Sequence, residues 1–214
     1  MLIGIKKTPS TKKPSYEEEA HLLKRGFYLI AGVDEAGRGP LAGPVVAGVA
    51  MLSPNPCGKW VSLVRDSKLM TPLRREEAFD YLSNNALSVA SGVASPNEID
   101  RLGIVPATQL AVKRAIKSMI LQPQFLLMDA FPIPTIQIPQ KPIVHGDTLC
   151  FSIAAASIIA KVHRDRMMSS LDTVYPDYGF SRHKGYGTKY HRAAILAFGP
   201  CPQHRRSFKL LPSA

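Results

Sequence analysis

Tyr28-Leu29-Ile30-Ala31-Gly32-Val33-Asp34-Glu35-Ala36-Gly37-Arg38-Gly39-Pro40 runs from an apolar segment straight into two adjacent acids and a glycine-flanked arginine. The residues from Phe27 to Val33 predict a buried strand that delivers Asp34 and Glu35 at its end. Paired carboxylates bind hard divalent cations. Glycines on both sides of Arg38 permit a turn whose backbone N–H and C=O groups can approach a sugar or phosphate. Read blandly, the same glycines serve only a hairpin connection. The two features within one turn point to metal-dependent chemistry on a nucleic acid.

Working outward, Val45 to Leu52 is a second strand, antiparallel to the first across a Gly/Pro-rich connection, and Leu87 to Val93 a third. Pro106 to Leu121 carries apolar residues at a helical period. Phe125 to Met128 makes a short, wholly apolar strand that stops at Asp129. Residues 132 to 142 form a Pro-rich connection, Ile143-Val144 a last short strand, and Phe151 to Met168 a long buried helix. Lys189 to Phe198 predicts another helix. At the other end, residues 6 to 15 read as a mobile basic arm, followed by a helix from Glu17 to Arg25 that Ser15 caps and Gly26 ends. The pattern is α/β, a mixed sheet of about five strands flanked by helices. It divides into an arm and short helix (1–26), a core (27–168) and a basic C-terminal helical and loop region (169–214).

The chain has 214 residues, 45% of them hydrophobic, enough for one domain with its own core. Its formal charge of +11, from 27 Lys and Arg against 16 Asp and Glu, favours a polyanionic partner. Asp177 is the last acid, and Arg182, Lys184, Lys189, Arg192, Arg205, Arg206 and Lys209 all follow it, so one end presents a positive surface. Three widely spaced cysteines, odd in number and without a CxxC pair, suggest neither a disulfide framework nor a zinc site. Neither a membrane-spanning run nor a signal peptide is present, which places the protein in the cytoplasm. With no apolar seam, a monomer is expected.

Asp129 ends a buried strand and Asp147 precedes the buried helix. Ligands of open α/β sheets gather at strand ends, so both acids are placed to converge with Asp34 and Glu35. Four such carboxylates would hold two divalent ions. Singly, each has a plainer reading: a turn for Asp129, a helix cap for Asp147, solvated loop acids for Asp34 and Glu35. An acid abutting a buried strand is costly to desolvate unless a cation or an arginine compensates it. Tyr186, between Gly185 and Gly187, is either a loop aromatic or a platform for a nucleotide. Lys161, Arg164 and Arg166, with His204-Arg205-Arg206, are phosphate contacts or a solvated face in equal measure. The histidines lack zinc spacing and default to ordinary hydrogen bonding.

These motifs, in order, make the chain resemble bacterial ribonuclease HII, a type 2 ribonuclease H. The resemblance rests on Ala31 to Val46, Asp66-Ser67-Lys68, Gly146-Asp147, Ser152 to Val162, Arg164-Asp165-Arg166, Tyr178-Gly179-Phe180, His183 to Thr188 and His204 to Phe208. It implies a ribonuclease H-like fold and an endonuclease that hydrolyses RNA in RNA–DNA hybrids and cuts 5′ of single ribonucleotides in duplex DNA. It implies Asp34, Glu35, Asp129 and Asp147 as ligands of two Mn2+ or Mg2+ ions. It further implies Gly37, Arg38 and Gly39 as the turn that senses the ribose 2′-hydroxyl, and Tyr186 as the tyrosine at the RNA–DNA junction. Lys68, Lys161, Arg164 and Lys184 are the expected additional substrate contacts. The intact Gly-Arg-Gly favours this branch over ribonuclease HIII. Two positions depart from the family pattern: Ala130 stands where glycine is usual, and His145 where lysine is usual. Two rival readings remain, a metal-free ribonuclease using paired histidines and a basic protein that binds duplexes without cutting them.

Overall fold

Strand β1 (Ile30–Ala36) lies at the centre of the sheet. It pairs antiparallel with β2 (Val45–Met51), which pairs antiparallel with β3 (Ser88–Ala94). On its other side β1 runs parallel to β4 (Phe125–Asp129), and β4 parallel to β5 (Gln140–Ile143). The order is therefore β3-β2-β1-β4-β5, the mixed five-stranded sheet expected from the sequence. The helices are α1 (Glu17–Lys24), α2 (Pro72–Asn85), α3 (Pro96–Leu102), α4 (Ile104–Lys117), α5 (Gly146–Leu149), α6 (Phe151–Val174), α7 (Phe180–His183) and α8 (Lys189–Phe198). This architecture comes from a computed structural model that describes residues 13–54 and 56–211, without the side chains of residues 59 and 60. The basic arm expected at 6–15 falls, as far as residue 12, outside the described residues.

Side chains alternate across β1 with the period of two that a strand imposes. Ala31 and Val33 face the layer of α4, packed with Ala107, Ala111, Val112 and Ala115. Gly32 and Asp34 face α6, whose first half is almost entirely buried. Small residues set how close this helix comes. Asp34 pairs in register with Gly48 of β2, and a β-carbon on Gly48 would lie 2.2 Å from the carbonyl oxygen of Ala156. With α6 pressed onto the sheet, the end of β1 is covered and Asp34 is only 5% exposed.

Several boundaries differ from expectation, each for a local reason. β1 continues through Asp34 and Glu35 to Ala36, because the antiparallel ladder with β2 extends to the pair Ala36–Val46. α2 and α3 were not anticipated; their signals are Thr71, whose side chain accepts the Arg74 N–H, and a reciprocal capping box between Ser95 and Glu98. β5 occupies Gln140–Ile143, earlier than Ile143-Val144; as an edge strand it tolerates Pro142. α6 continues to Val174, past Met168. Ser15 does not cap α1 with its side chain; Tyr16 holds the N-cap position.

After α6 the chain builds a second apolar cluster from Met168, Tyr178, Phe180, Ala194, Ile195 and Cys201, which takes in Leu41 and Ala42 from the loop between β1 and β2. Backbone bonds Leu41 N to Gly185 O (2.8 Å), Gly43 N to Gln203 O (2.8 Å) and Arg205 N to Leu41 O (2.9 Å) stitch that loop to the C-terminal region. Gly48→Ala should destabilise the protein by at least the upper end of about 1–3 kcal/mol, because helix backbone rather than a flexible side chain fills the space; chemical denaturation measures it.

Candidate active site

Parallel pairing of β1 with β4 aligns Val33 with Met128, so the residues that follow, Asp34 and Asp129, come side by side. Asp129 Oδ1 accepts the N–H of Gly146 at 2.8 Å, which brings in the turn carrying Asp147. One carboxylate oxygen from each of Asp34, Asp129 and Asp147 lies within 4.8 Å of the others. Glu35, the next residue along β1, lines the same cleft but lies outside this group; Arg38 Nη1 donates to its Oε1 at 3.2 Å.

Asp34 and Asp147 are buried and Asp129 half-buried. Burial, then the neighbouring charges of Glu35 and Asp129, raises the pKa of Asp34 well above the ordinary carboxylate range. Burial also raises Asp129, with Asp147 adding to it, and raises Glu35 against the opposing pull of Arg38. At an effective dielectric constant of about 20, unit charges at this spacing repel by roughly 3–4 kcal/mol per pair. Lys68 offsets part of this: its Nζ lies 2.7 Å from Asp147 Oδ2, and that contact raises the lysine pKa. The donor set is all oxygen, crowded and anionic, which suits a hard divalent cation.

The rest of the cleft, about 270 Å³, is lined by Gly37, Arg38, Gly39, Ser67, Lys161 and Tyr186 among others. Gly37 has φ +98°, and a β-carbon there would sit 2.0 Å from Arg164 Nε, so the turn requires glycine. Tyr186 is half-exposed and its ring reaches the turn: a β-carbon on Gly39 would lie 3.9 Å from Cε1.

Two arginines hold this turn from inside. Arg164 is 1% exposed and donates to the carbonyls of Pro44 (3.0 Å), Lys184 (3.0 Å) and Ala42 (3.2 Å). Arg205, fully buried, donates to those of Gly43 (2.9 Å), Arg38 (2.9 Å) and Gly37 (2.6 Å). Arg164 was expected to meet substrate, and Arg205 was read as either a phosphate contact or a solvated residue. Arg164 does line the cleft, but like Arg205 it donates to backbone carbonyls. No local signal marks them: Arg164 lies within α6, and apart from Lys184 the carbonyls the two reach are 120 or more positions away in the sequence. Lys161 lines the cleft with its Nζ 2.6 Å from Asp165 Oδ1. Lys184 lies in an adjoining groove, its Nζ 2.9 Å from Ser169 Oγ.

Three histidines support the Tyr186 loop. His191 Nδ1 donates to the carbonyl of Tyr186 (2.9 Å), the N–H of Gly185 donates to His183 Nδ1 (3.2 Å), and His191 Nε2 is 3.0 Å from His204 Nε2. All three are buried, which lowers their pKa values, that of His191 to about 4. Ala130 and His145 flank the aspartates with φ of 61° and 58°, in the left-handed region that favours glycine. The two departures from the family pattern thus fall at strained backbone positions.

A family model for ribonuclease HII matches residues 31–211. The chain belongs to the ribonuclease HII family. It is 52% identical over 205 residues to a ribonuclease HII of Dehalococcoides mccartyi, covering 96% of this chain and 97% of that one. It is 50% identical over 191 residues to one of Desulfitobacterium hafniense, covering 89% and 72%. Among solved structures, the ribonuclease H2 of Pyrococcus horikoshii matches with a TM-score of 0.70 at 29% identity, covering 85% of this chain and 94% of that one. A ribonuclease HIII structure described as a complex with Mn2+ matches with a TM-score of 0.63 at 18% identity, covering 85% and 67%, and bears on the fold alone. The expected ribonuclease H-like fold is therefore present, and the protein is a ribonuclease H-type hydrolase of a divalent-metal-dependent family that acts on nucleic acid. Among the described residues no helix is long and apolar enough to cross a membrane.

Two outcomes follow from the site. Acids whose folded pKa lies above the unfolded value bind extra protons in the native state, so the metal-free protein loses stability as pH rises from the ordinary carboxylate range through the raised values. Asp34→Asn should relieve that cost by about 1–2 kcal/mol, roughly 2–8 °C in Tm, and should show none of the Tm increase expected of the wild type with Mn2+; scanning calorimetry with Mn2+ and with EDTA measures both. Ala130→Gly should stabilise the fold by about 1 kcal/mol, read from denaturation midpoints.

Proposed function

We propose that this protein cleaves the RNA strand of RNA–DNA hybrids and cuts 5′ of single ribonucleotides embedded in duplex DNA. One observation carries the reading: Asp34, Glu35 and Asp129, with Asp147 grouped beside the two aspartates, line a single cleft together with the Gly37–Gly39 turn and the Tyr186 ring, Asp147 itself lying buried just behind. Asp34, Asp129 and Asp147, with Glu35 at the rim, are the residues that would hold two Mn2+ or Mg2+ ions. Such ions, when bound, activate a water and stabilise the leaving 3′-oxygen, which gives 5′-phosphate and 3′-hydroxyl ends.

The 2′-hydroxyl is the group that separates ribose from deoxyribose, so a nearby hydrogen-bonding surface must read it. Arg38 and Gly39 are exposed at the cleft, while the carbonyls behind them are held by Arg205, so the turn meets the sugar as a preset surface. Tyr186 packs on the sugar of the following nucleotide and favours deoxyribose there. Lys68, paired with Asp147 beside the cleft, and Lys161 and Lys184 towards the adjoining groove are the cations that would contact phosphate. Arg164 acts indirectly, by holding the loops. The paired histidines required by a metal-free mechanism, His191 and His204, lie buried under the Tyr186 loop rather than in the cleft.

The test is a labelled DNA duplex bearing one ribonucleotide, incubated with Mn2+ and with EDTA. Cleavage 5′ of the ribonucleotide should depend on the metal and fall on the order of 10³-fold or more in Asp34→Asn. Tyr186→Ala should slow it by roughly 5- to 150-fold, the equivalent of about 1–3 kcal/mol of lost stacking. Cleavage that persists in EDTA and leaves a cyclic phosphate would overturn the reading.

A further inference from the structure

Glu19 is 1% exposed on α1, a short helix that contributes no residue to the lining of the cleft. Its Oε1 accepts the backbone N–H of Ser152 at 2.7 Å and the thiol of Cys150 at 3.2 Å. Its Oε2 is buried without a hydrogen-bond partner among the described residues. A buried carboxylate with one oxygen unsatisfied is costly, so the contact it does make must matter where it is made.

That contact is the start of α6. The first N–H groups of a helix have no partner within it, and Cys150, at the N-cap position, supplies no side-chain acceptor. Glu19 supplies one from another helix, with its charge at the positive end of the α6 dipole. Just upstream, the backbone of Ser15 brackets the same junction: its N–H donates to Leu149 O and its carbonyl accepts from Phe151 N, both at 2.9 Å. On the far side of the turn, Glu18 pairs with Lys141 of β5 at 2.6 Å. The stretch from β5 to α6 is therefore gripped at both ends by the segment from Ser15 to Glu19. Asp147 lies within that stretch, on the four-residue helix α5, with Leu22, Cys150 and Ile153 packed together beneath.

We propose that Glu19 is a positioning residue for Asp147: by holding the junction of α5 and α6 it fixes where this carboxylate sits relative to Asp34 and Asp129. The proposal rests on the reading of those three aspartates as a metal site. An outer residue of this kind acts on metal affinity without touching the ion.

The experiment measures Mn2+ binding by calorimetry on the full chain, for wild type, Glu19→Ala, Glu19→Asp, Glu19→Gln and Asp147→Asn, each well below its own Tm. Glu19→Ala should bind Mn2+ about tenfold more weakly, with kcat recovered by saturating Mn2+ and KM for the duplex unchanged. Glu19→Gln, which keeps a carbonyl for the Ser152 N–H, should restore most of the affinity. Ile99→Ala, a cavity in the α4 layer, should lower Tm and leave Mn2+ affinity alone. Wild-type affinity in Glu19→Ala would overturn the proposal. Should that variant fail to fold, wild-type affinity in Glu19→Asp, whose shorter side chain cannot reach Ser152, would overturn it equally. If the wild type binds no Mn2+, or Asp147→Asn binds it unchanged, the metal reading itself fails.

Discussion

Negative charge packed where two parallel strands end is the constraint that organises this protein. The pairing of β1 with β4 stops at Val33 and Met128, so Asp34 and Asp129 emerge together, and Asp147 closes the group from the turn before α6. Three carboxylates within 4.8 Å of one another cannot all be ionised at low cost in a covered site. Proton uptake, the Lys68 ammonium and a bound divalent cation are the three ways to relieve the repulsion, and only the cation satisfies all three oxygens together. The fold around the cluster therefore holds an unfavourable arrangement that a bound cation would relieve.

Keeping that arrangement requires a rigid surround. The close approach of α6 over Gly48 covers Asp34 from one side, and the α1 segment holds the Asp147 turn from another. The substrate side is held differently. Glycine-rich loops expose many backbone carbonyls and few side chains, so they need donors brought from elsewhere. Arg164 and Arg205 supply six such bonds from inside the protein, five to residues between Gly37 and Pro44 and one to Lys184. In the loop that carries Tyr186, His191 donates to the Tyr186 carbonyl and His183 accepts the Gly185 N–H. The exposed loops at the cleft are thus held by buried polar groups, and a basic C-terminal region that reads as a phosphate-binding tail is partly an internal scaffold.

Legibility in the sequence followed the range of the interactions. Strands β2, β3 and β4 were readable because their branched and small apolar runs are local signals bounded by turn residues. The N-cap of α2 at Thr71 and the capping box of α3 in Ser95 with Glu98 are also local signals, weaker than the apolar periodicities around them. β5 was misplaced by three residues because Pro142 argues against a strand unless the strand is known to lie at an edge, a fact of sheet order.

The residue types around Asp34, Asp129 and Asp147, and the glycines flanking Arg38, were determined by the sequence alone, since a hard-cation site needs oxygen donors and a close-approach turn needs absent side chains. Tertiary structure alone decided which acids stand together, that Glu35 pairs with Arg38 at the rim, and that Arg164 and Arg205 face inward. The reason is physical: a side chain's charge is written in the sequence, but its neighbours depend on strand register and helix packing between residues more than a hundred positions apart, as with Glu19 and Ser152. Local chemistry announces what a site can bind; only the folded chain decides what holds it in place.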